Sequence, residues 1–371
     1  MSSRDVRFLG MTSHQLVSEK MASVQDTVDQ YLANETVLAV CLSGSLIADL
    51  GTPYSDIDIF VVTSDGSGAL QHGKGQARLG VEFRSAEWLE QVANLARPFA
   101  ATLDENYPLT TSADLIEDAV RLKIGRELKN SPELVRAKNA LDTGRRDLQK
   151  LVIAQVALDL ASYWMDILGF LTKGDLDSAE MLSSEILLTA LDAACVPDGD
   201  LYRGAKWIWS RTRRNETLAP AYQWVRDLLM PHLGTCPSGN RLCMDRMLAA
   251  QKLISLTLLR EWNPDRFLPT PAMAPGGAGD LVRSPYWQVV RVAKSAVLAY
   301  QDSRHYFLPD LALCCWYAAD GCSEEEIEKS VSLTYPDSTD RIAETINALR
   351  SIGAIGDMSD WRKLCLPADQ D

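Results

Sequence analysis

The chain has 371 residues, of which 46% are hydrophobic and 23% charged, the balance of a folded globular protein. That excludes disorder or a collagen-like repeat for the chain as a whole, and roughly 100–200 residues per domain predicts two or three domains. With 37 basic and 50 acidic residues the net charge is −13, which disfavours general nucleic-acid binding and leaves room only for a local basic stripe. No unbroken apolar run approaches the ~18–20 residues of a membrane helix. The N-terminal stretch has no signal-peptide core. The expected setting is cytoplasmic, with no membrane partner.

Residues 13–34 carry Leu16, Met21, Val24, Val28 and Leu32 near helical spacing, with Thr12 or Ser13 as cap. Val37 to Leu42 is a short apolar run that suits a buried strand, broken by Ser43-Gly44-Ser45. Ile57 to Val62 is a second, β-branched strand. Residues 64–75 read as a Gly/Ser loop, 78–83 as a third strand, and Ser85-Ala86-Glu87-Trp88 opens a helix. Beyond about residue 110 the pattern is helical, over 112–128, 131–172, 177–195, 219–231 and 241–262. Prolines 264, 269, 271 and 275 with Gly276-Gly277-Ala278-Gly279 mark a linker.

The C-terminal residues predict a helix over Phe307–Ala319 and a second one opened by the capping box Ser323-Glu324-Glu325-Glu326. A third helix runs from Ser338 to Ile352, followed by short apolar stretches at 354–355 and 364–366. Three helices and a ribbon suggest a winged helix. The eight cysteines form no C-x-x-C pair, and the four histidines are scattered. Buried free thiols are expected, adjacent Cys314 and Cys315 included, and a structural zinc is not.

The chemistry concentrates at Leu42-Ser43-Gly44-Ser45 and at Asp56-Ile57-Asp58-Ile59. Side chains alternate along a strand, so Asp56 and Asp58 share one face while Ile57, Ile59 and Val61 share the other. Paired carboxylates can hold Mg²⁺ together with phosphate oxygens, and two metals can clamp an in-line phosphoryl displacement. Gly44 lets the backbone approach a phosphate. Ser45 adds a hydroxyl and an N–H, and Glu82, mid-strand, is the candidate third acid. The residues alone also suit a surface hairpin with two solvated aspartates and an edge-strand glutamate facing water.

Gly44, Ser45, Asp56 and Asp58 resemble the signature of the nucleotidyltransferase superfamily, the DNA polymerase β-like fold. That signature is a strand, Gly-Ser, a helical turn, then Asp-x-Asp on the next strand. The resemblance implies an α+β chain with a small mixed-sheet nucleotidyltransferase domain, a helical bundle and a C-terminal winged-helix unit. The expected bounds are 1–110 for the nucleotidyltransferase domain and 111–265 for the bundle. A linker and connecting helix would fill 266–304, and the winged-helix-like unit 305–371. The resemblance further implies two Mg²⁺ ions held by Asp56, Asp58 and Glu82, with Gly44 and Ser45 on the phosphates of ATP or another NTP.

The layout is similar to the branch that modifies aminoglycosides and other small molecules. Leu201-Tyr202-Arg203-Gly204-Ala205-Lys206-Trp207 resembles that branch's Tyr-x-x-x-Lys-Trp segment, which implies Lys206 as a triphosphate contact; a solvated helix lysine is the alternative. Arg203, Lys206, Arg211, Arg213 and Arg214 form the one dense basic patch, suited either to phosphate or to a solvated helix face. Asp118 to Gly125 resembles the branch's domain junction, with Arg121 or Lys123 facing the cleft. The general base stays open among Glu82, Glu180 and Glu185. Trp164, Trp207, Trp209 and Trp224 suit core or interface positions better than nucleobase stacking.

The segment Asp320 to Ile327, Tyr335-Pro336-Asp337 and Ile346 to Gly353 is similar to PqqD-like modules, which bind leader peptides. That implies a peptide partner for the C-terminal unit, with a structural or dimerisation element as the alternative. DNA is disfavoured, since the third helix carries only Arg341 and Arg350 as basic residues. The expected activity is Mg²⁺-dependent transfer of NMP, AMP from ATP first, to a hydroxyl of a small-molecule acceptor with release of pyrophosphate. The alternatives are a macromolecular acceptor (peptide, protein or tRNA) and a degenerate nucleotide-binding scaffold. An oligomer that completes the site with a second subunit stays open.

Overall fold

The computed structural model describes residues 12–68, 79–97, 111–231, 239–263, 279–292, 295–300 and 304–357. They are α+β, a small mixed sheet followed by many helices. The described residues divide between two compact units, one within 1–98 and 111–148, the other from 149 onward. The boundary expected near 110 therefore falls later, because 111–148 belong with the sheet.

In the first unit, Thr12 and Gln15 form a capping box that starts α1 (Ser13–Ala33). The helix buries Leu16, Val17, Met21, Val24, Val28 and Tyr31, one stripe at helical spacing. That stripe shares a core with Val37, Val40 and Leu42 of β1 (Val37–Ser43) and with Ile57, Ile59 and Val61 of β2 (Ile57–Thr63). β1 and β2 are antiparallel, and β3 (Leu79–Ser85) lies parallel to β2. α2 (Ala86–Asn94) follows, capped by Ser85.

The stretch 112–128, expected as one helix, is α3 (Ala113–Ile124) and then β4 (Arg126–Lys129), which pairs antiparallel with β1. The switch occurs at Gly125, where a Cβ would meet Cys41 Sγ at 2.6 Å and Leu42 O at 2.9 Å. The sheet order is β3-β2-β1-β4. α4 (Pro132–Thr143) completes the unit, and Gly144 separates it from α5 (Arg145–Lys173), so 131–172 is two helices.

By length and composition α5 would also suit a membrane span, but more than half of its most apolar stretch is buried within the chain. Gln155 and Asp159 interrupt the run, which hid it from a search for unbroken apolar residues. Val152, Val156, Trp164, Ile167 and Leu171 are buried, as in the core helix of a folded unit.

In the second unit α6 (Leu176–Ala194) packs along α9 (Gly239–Trp262), with the short α7 (Ile208–Arg214) and α8 (Tyr222–Leu229) between them in sequence. Nearly every face of α9 is buried, and several of its polar side chains are hydrogen-bonded. Arg246, for example, donates to Leu228 O and Glu180 O at 2.9 and 3.1 Å.

Where 266–304 is described, strands stand in place of the expected connecting helix. β5 is Leu281–Arg283, and β6 (Trp287–Val292), β7 (Ser295–Tyr300) and β8 (His305–Leu308) form an antiparallel meander. Phe307 and Leu308, expected in a helix, are in β8. The C-terminal part then runs α10 (Asp310–Ala318), β9 (Asp320–Cys322), α11 (Glu324–Ser332), α12 (Thr339–Ser351) and β10 (Ile355–Asp357). Ser323 and Glu326 make the expected capping box. Three helices and a sheet give the winged-helix-like layout, but the sheet order is β10-β5-β9. Its central strand thus comes from 281–283, upstream of the expected boundary at 305. The strand expected at 364–366 and most of the linker at 264–278 lie outside the described residues.

Candidate active site

Asp58 stands on the face of β2 opposite the isoleucines that pack with α1. Its register partners are Ser43 on β1 and Gly80 on β3. Gly44, next after Ser43, has φ +86°, and a Cβ there would lie 2.0 Å from Asp58 Oδ2. A Cβ on Gly80 would lie 2.7 Å from Oδ1. Two missing side chains therefore make the seat of one carboxylate. Beyond Gly44 the chain curls tightly. Ile47 and Ala48 both donate to Gly44 O at 3.1 Å, and Leu50 donates to Ser45 O at 2.9 Å. Ser43 Oγ donates to Arg121 O at 3.1 Å, tying the turn to α3. Ser45 is buried.

Asp56 immediately precedes β2 and is exposed, while Asp58 is half-buried. Behind Asp56, Lys20 of α1 donates to Ser55 O at 2.6 Å. Burial lowers the Lys20 ammonium from its ordinary value, and the Asp56 charge opposes that shift only in part.

Glu82 comes to the same face, in register with Phe60, one residue pair along from Asp58. Its two oxygens are taken by different guanidiniums, Oε1 by Arg121 at 2.6 Å and Oε2 by Arg84 at 2.5 Å. Arg84 continues to Asp118 at 3.0 Å, which also accepts the Trp88 indole N–H at 3.0 Å. Arg121 lies over the Phe60 ring, 4.6 Å from its centroid. Burial works against the Arg121 charge, but Glu82, Asp58 and Asp118 outweigh it and raise its affinity for the proton. Asp56, Asp58 and Glu82 do not form a three-ligand metal group; among the described residues no cluster of three such side chains suits a metal. Glu82, the expected third acid, is directed at two arginines.

Of the junction cations, Arg121 joins the acids, whereas Lys123 pairs with Asp142 at 2.5 Å. Lys206 belongs to the second unit, where it is exposed with Nζ 4.8 Å from the Trp207 ring centroid. The basic patch around it is largely an internal ion-pair cluster. Arg211 is fully buried on Asp192 and Asp200, Arg203 pairs with Asp192, and Arg214 with Asp200. Only Lys206 and Arg213 of the five are held by aromatic rings rather than acids. Glu180 is half-buried beside Gly239 in that unit and Glu185 is exposed. Trp164 is a core residue that donates to Pro285 O at 2.5 Å; Trp207, Trp209 and Trp224 are half-buried. The described cysteines are free thiols, five of them buried.

Sequence reasoning missed Lys20, Arg84 and Asp118. Arg84 had a signal, since it lies two residues from Glu82 and so on the same strand face. Lys20 sits on a helix far away in sequence and had none, whereas Asp118 opens the junction segment three residues before Arg121 but was given no role.

No protein-family model matches the chain, and no curated protein sequence matches it.

Proposed function

We propose that the chain is a Mg²⁺-dependent nucleotidyltransferase that moves NMP, AMP from ATP first, to a hydroxyl of a small molecule. The observation that carries this reading is the seat of Asp58, a carboxylate set against the Gly44 turn with Asp56 two residues before it. Oxygen ligands from one or two carboxylates plus phosphates are what Mg²⁺ takes. Asp56 and Asp58 would hold the ion, which supplies charge neutralisation to the phosphates. The turn at Gly44 would let the backbone approach those phosphates closely.

In the transfer, the acceptor oxygen bonds to the α-phosphorus. The bond from that phosphorus to the bridging oxygen breaks, pyrophosphate leaves with the electron pair, and the hydroxyl proton passes to solvent. Little covalent chemistry is asked of the protein, so positioning and charge supply most of the catalysis. The absence of a disulfide among the described cysteines suits a reducing, cytoplasmic setting.

A second reading, a nucleotide-binding scaffold without turnover, is favoured by the engagement of Glu82 with two arginines. Calorimetric titration of each NTP with Mg²⁺ and with chelator tests the shared core of both. Binding of one NTP that tightens with Mg²⁺ and loosens in Asp58→Asn supports it. Absence of NTP binding rejects both readings, and binding indifferent to Mg²⁺ and to Asp58 leaves only the scaffold.

A further inference from the structure

Glu82 occupies the position of a third acid, yet neither of its oxygens is placed for a metal. Oε1 meets Arg121 at 2.6 Å and Oε2 meets Arg84 at 2.5 Å, both charge-assisted contacts. A Mg²⁺ ligand needs a near-ideal octahedral approach and an oxygen facing the ion. Here an ion on either oxygen would sit beside a guanidinium of like charge. The partners are themselves anchored. Arg84 is held by Asp118, which Trp88 also fixes, and Arg121 rests on the face of Phe60 at 4.6 Å. Phe60 is two residues from Asp58 on the same strand face. The Arg121 side chain is 11% exposed, and its backbone carbonyl holds Ser43 Oγ, next to Gly44. The arginine is thus fastened at both ends to the site.

We propose that Glu82 is a positioning residue and not a metal ligand: it holds Arg121 over Phe60 beside Asp58, and Arg121 gives its positive charge to the phosphates of the nucleotide. The inference rests on the nucleotidyltransferase reading, and it changes what that reading expects. The protein contributes two carboxylates to metal, and an arginine takes up charge that a third carboxylate and its ion would otherwise handle. Arg84 and Asp118 are the outer supports of that arginine.

The test is calorimetric titration of the full-length protein with a non-hydrolysable ATP analogue, in Mg²⁺ and in chelator. The wild type is compared with Asp58→Asn, Glu82→Gln, Arg121→Gln and the Glu82→Gln/Arg121→Gln double variant, each checked for fold by circular dichroism. The ratio of affinities with and without Mg²⁺ reads metal ligation. The expected result is that Asp58→Asn collapses this ratio, while Glu82→Gln and Arg121→Gln preserve it. Both arginine-side variants weaken binding roughly ten- to hundredfold, with metal and without. The double variant is no weaker than Arg121→Gln alone, because Glu82 acts through Arg121.

Three results overturn the inference while leaving the enzyme reading standing. One is a ratio that collapses in Glu82→Gln as it does in Asp58→Asn. Another is full additivity in the double variant. The third is wild-type affinity in Glu82→Gln. Failure of the wild type to bind a non-hydrolysable analogue of any of the four NTPs removes the nucleotidyltransferase reading, and this inference with it.

Discussion

The carboxylate of Asp58 fills the space that a side chain on Gly44 would occupy, Oδ2 lying 2.0 Å from the position of that missing Cβ. The backbone reinforces the point, because Gly44 has φ +86°, where an L-residue is disfavoured by about 1–2 kcal/mol. Gly44→Ala is therefore expected to lower stability by that amount and to push the carboxylate from its seat. Mg²⁺-dependent nucleotide affinity should fall as far as in Asp58→Asn, which titration checks. An alanine variant with wild-type affinity would mean that the seat has no bearing on binding.

Lys20 supplies a pH signature. Its folded-state value is lowered, chiefly by burial, from 10.5. Between that lowered value and 10.5 the unfolded chain binds the extra proton, so Lys20 makes stability rise with pH across this window. Below the window the buried ammonium costs stability in full. Lys20→Met should remove that slope, flattening the alkaline side of the unfolding midpoint measured against pH. A slope unchanged in the variant would assign it to other groups.

In the second unit Asp320 is buried between Arg283 and Lys252, at 2.6 and 2.5 Å. Burial alone would raise its carboxyl, but Arg283 first and then Lys252 hold it below the ordinary range. Burial is the larger influence on Lys252 and lowers its ammonium from the ordinary value, against the opposing charge of Asp320. Arg283 also donates to Tyr317 O at 2.7 Å and Leu248 O at 3.1 Å. Arg283→Met should cost about 3–5 kcal/mol in denaturant unfolding, as expected when one partner of a buried pair is removed. The Asp320 contribution is complete above its ordinary value of 3.8 and is lost as pH falls through the lowered one. Asp320→Asn should therefore be less stable at neutral pH and less sensitive to acid.

The same arginine sits on β5, the central strand of the C-terminal sheet. A fragment starting at residue 305 lacks that strand. It is expected to show no cooperative thermal transition, whereas the full chain does. Peptide recognition by this part is accordingly a property to measure on the full chain.

The legible parts were those written locally. The alternation Ile57, Ile59, Val61 and the spacing of Gly44-Ser45 before Asp56-x-Asp58 placed β1, β2 and the carboxylate pair. Thr12 with Gln15 and Ser323 with Glu326 started helices where expected. β4 escaped because Arg-Glu-Leu-Lys continues a helical charge pattern, and only the approach of Gly125 to Cys41 shows the break. The β6 strand hid its inward face behind Arg291, a buried arginine paired with Asp310 at 3.2 Å. The basic patch misled for the converse reason, since Asp192 and Asp200 lie outside the run of arginines they neutralise. Arg121, the helix partner of Glu82, belongs to the same class, for ion pairing between a sheet and a helix is set by tertiary position.

The central claim is tested most directly by pyrophosphate release from each of the four NTPs with Mg²⁺, against aminoglycosides, nucleosides, short peptides and bulk tRNA. Asp58→Asn is the control. The expected result is release with one NTP and a small hydroxyl-bearing acceptor, abolished in Asp58→Asn while its circular dichroism spectrum is unchanged. Release at the wild-type rate in Asp58→Asn, or no release with any pair, would contradict it.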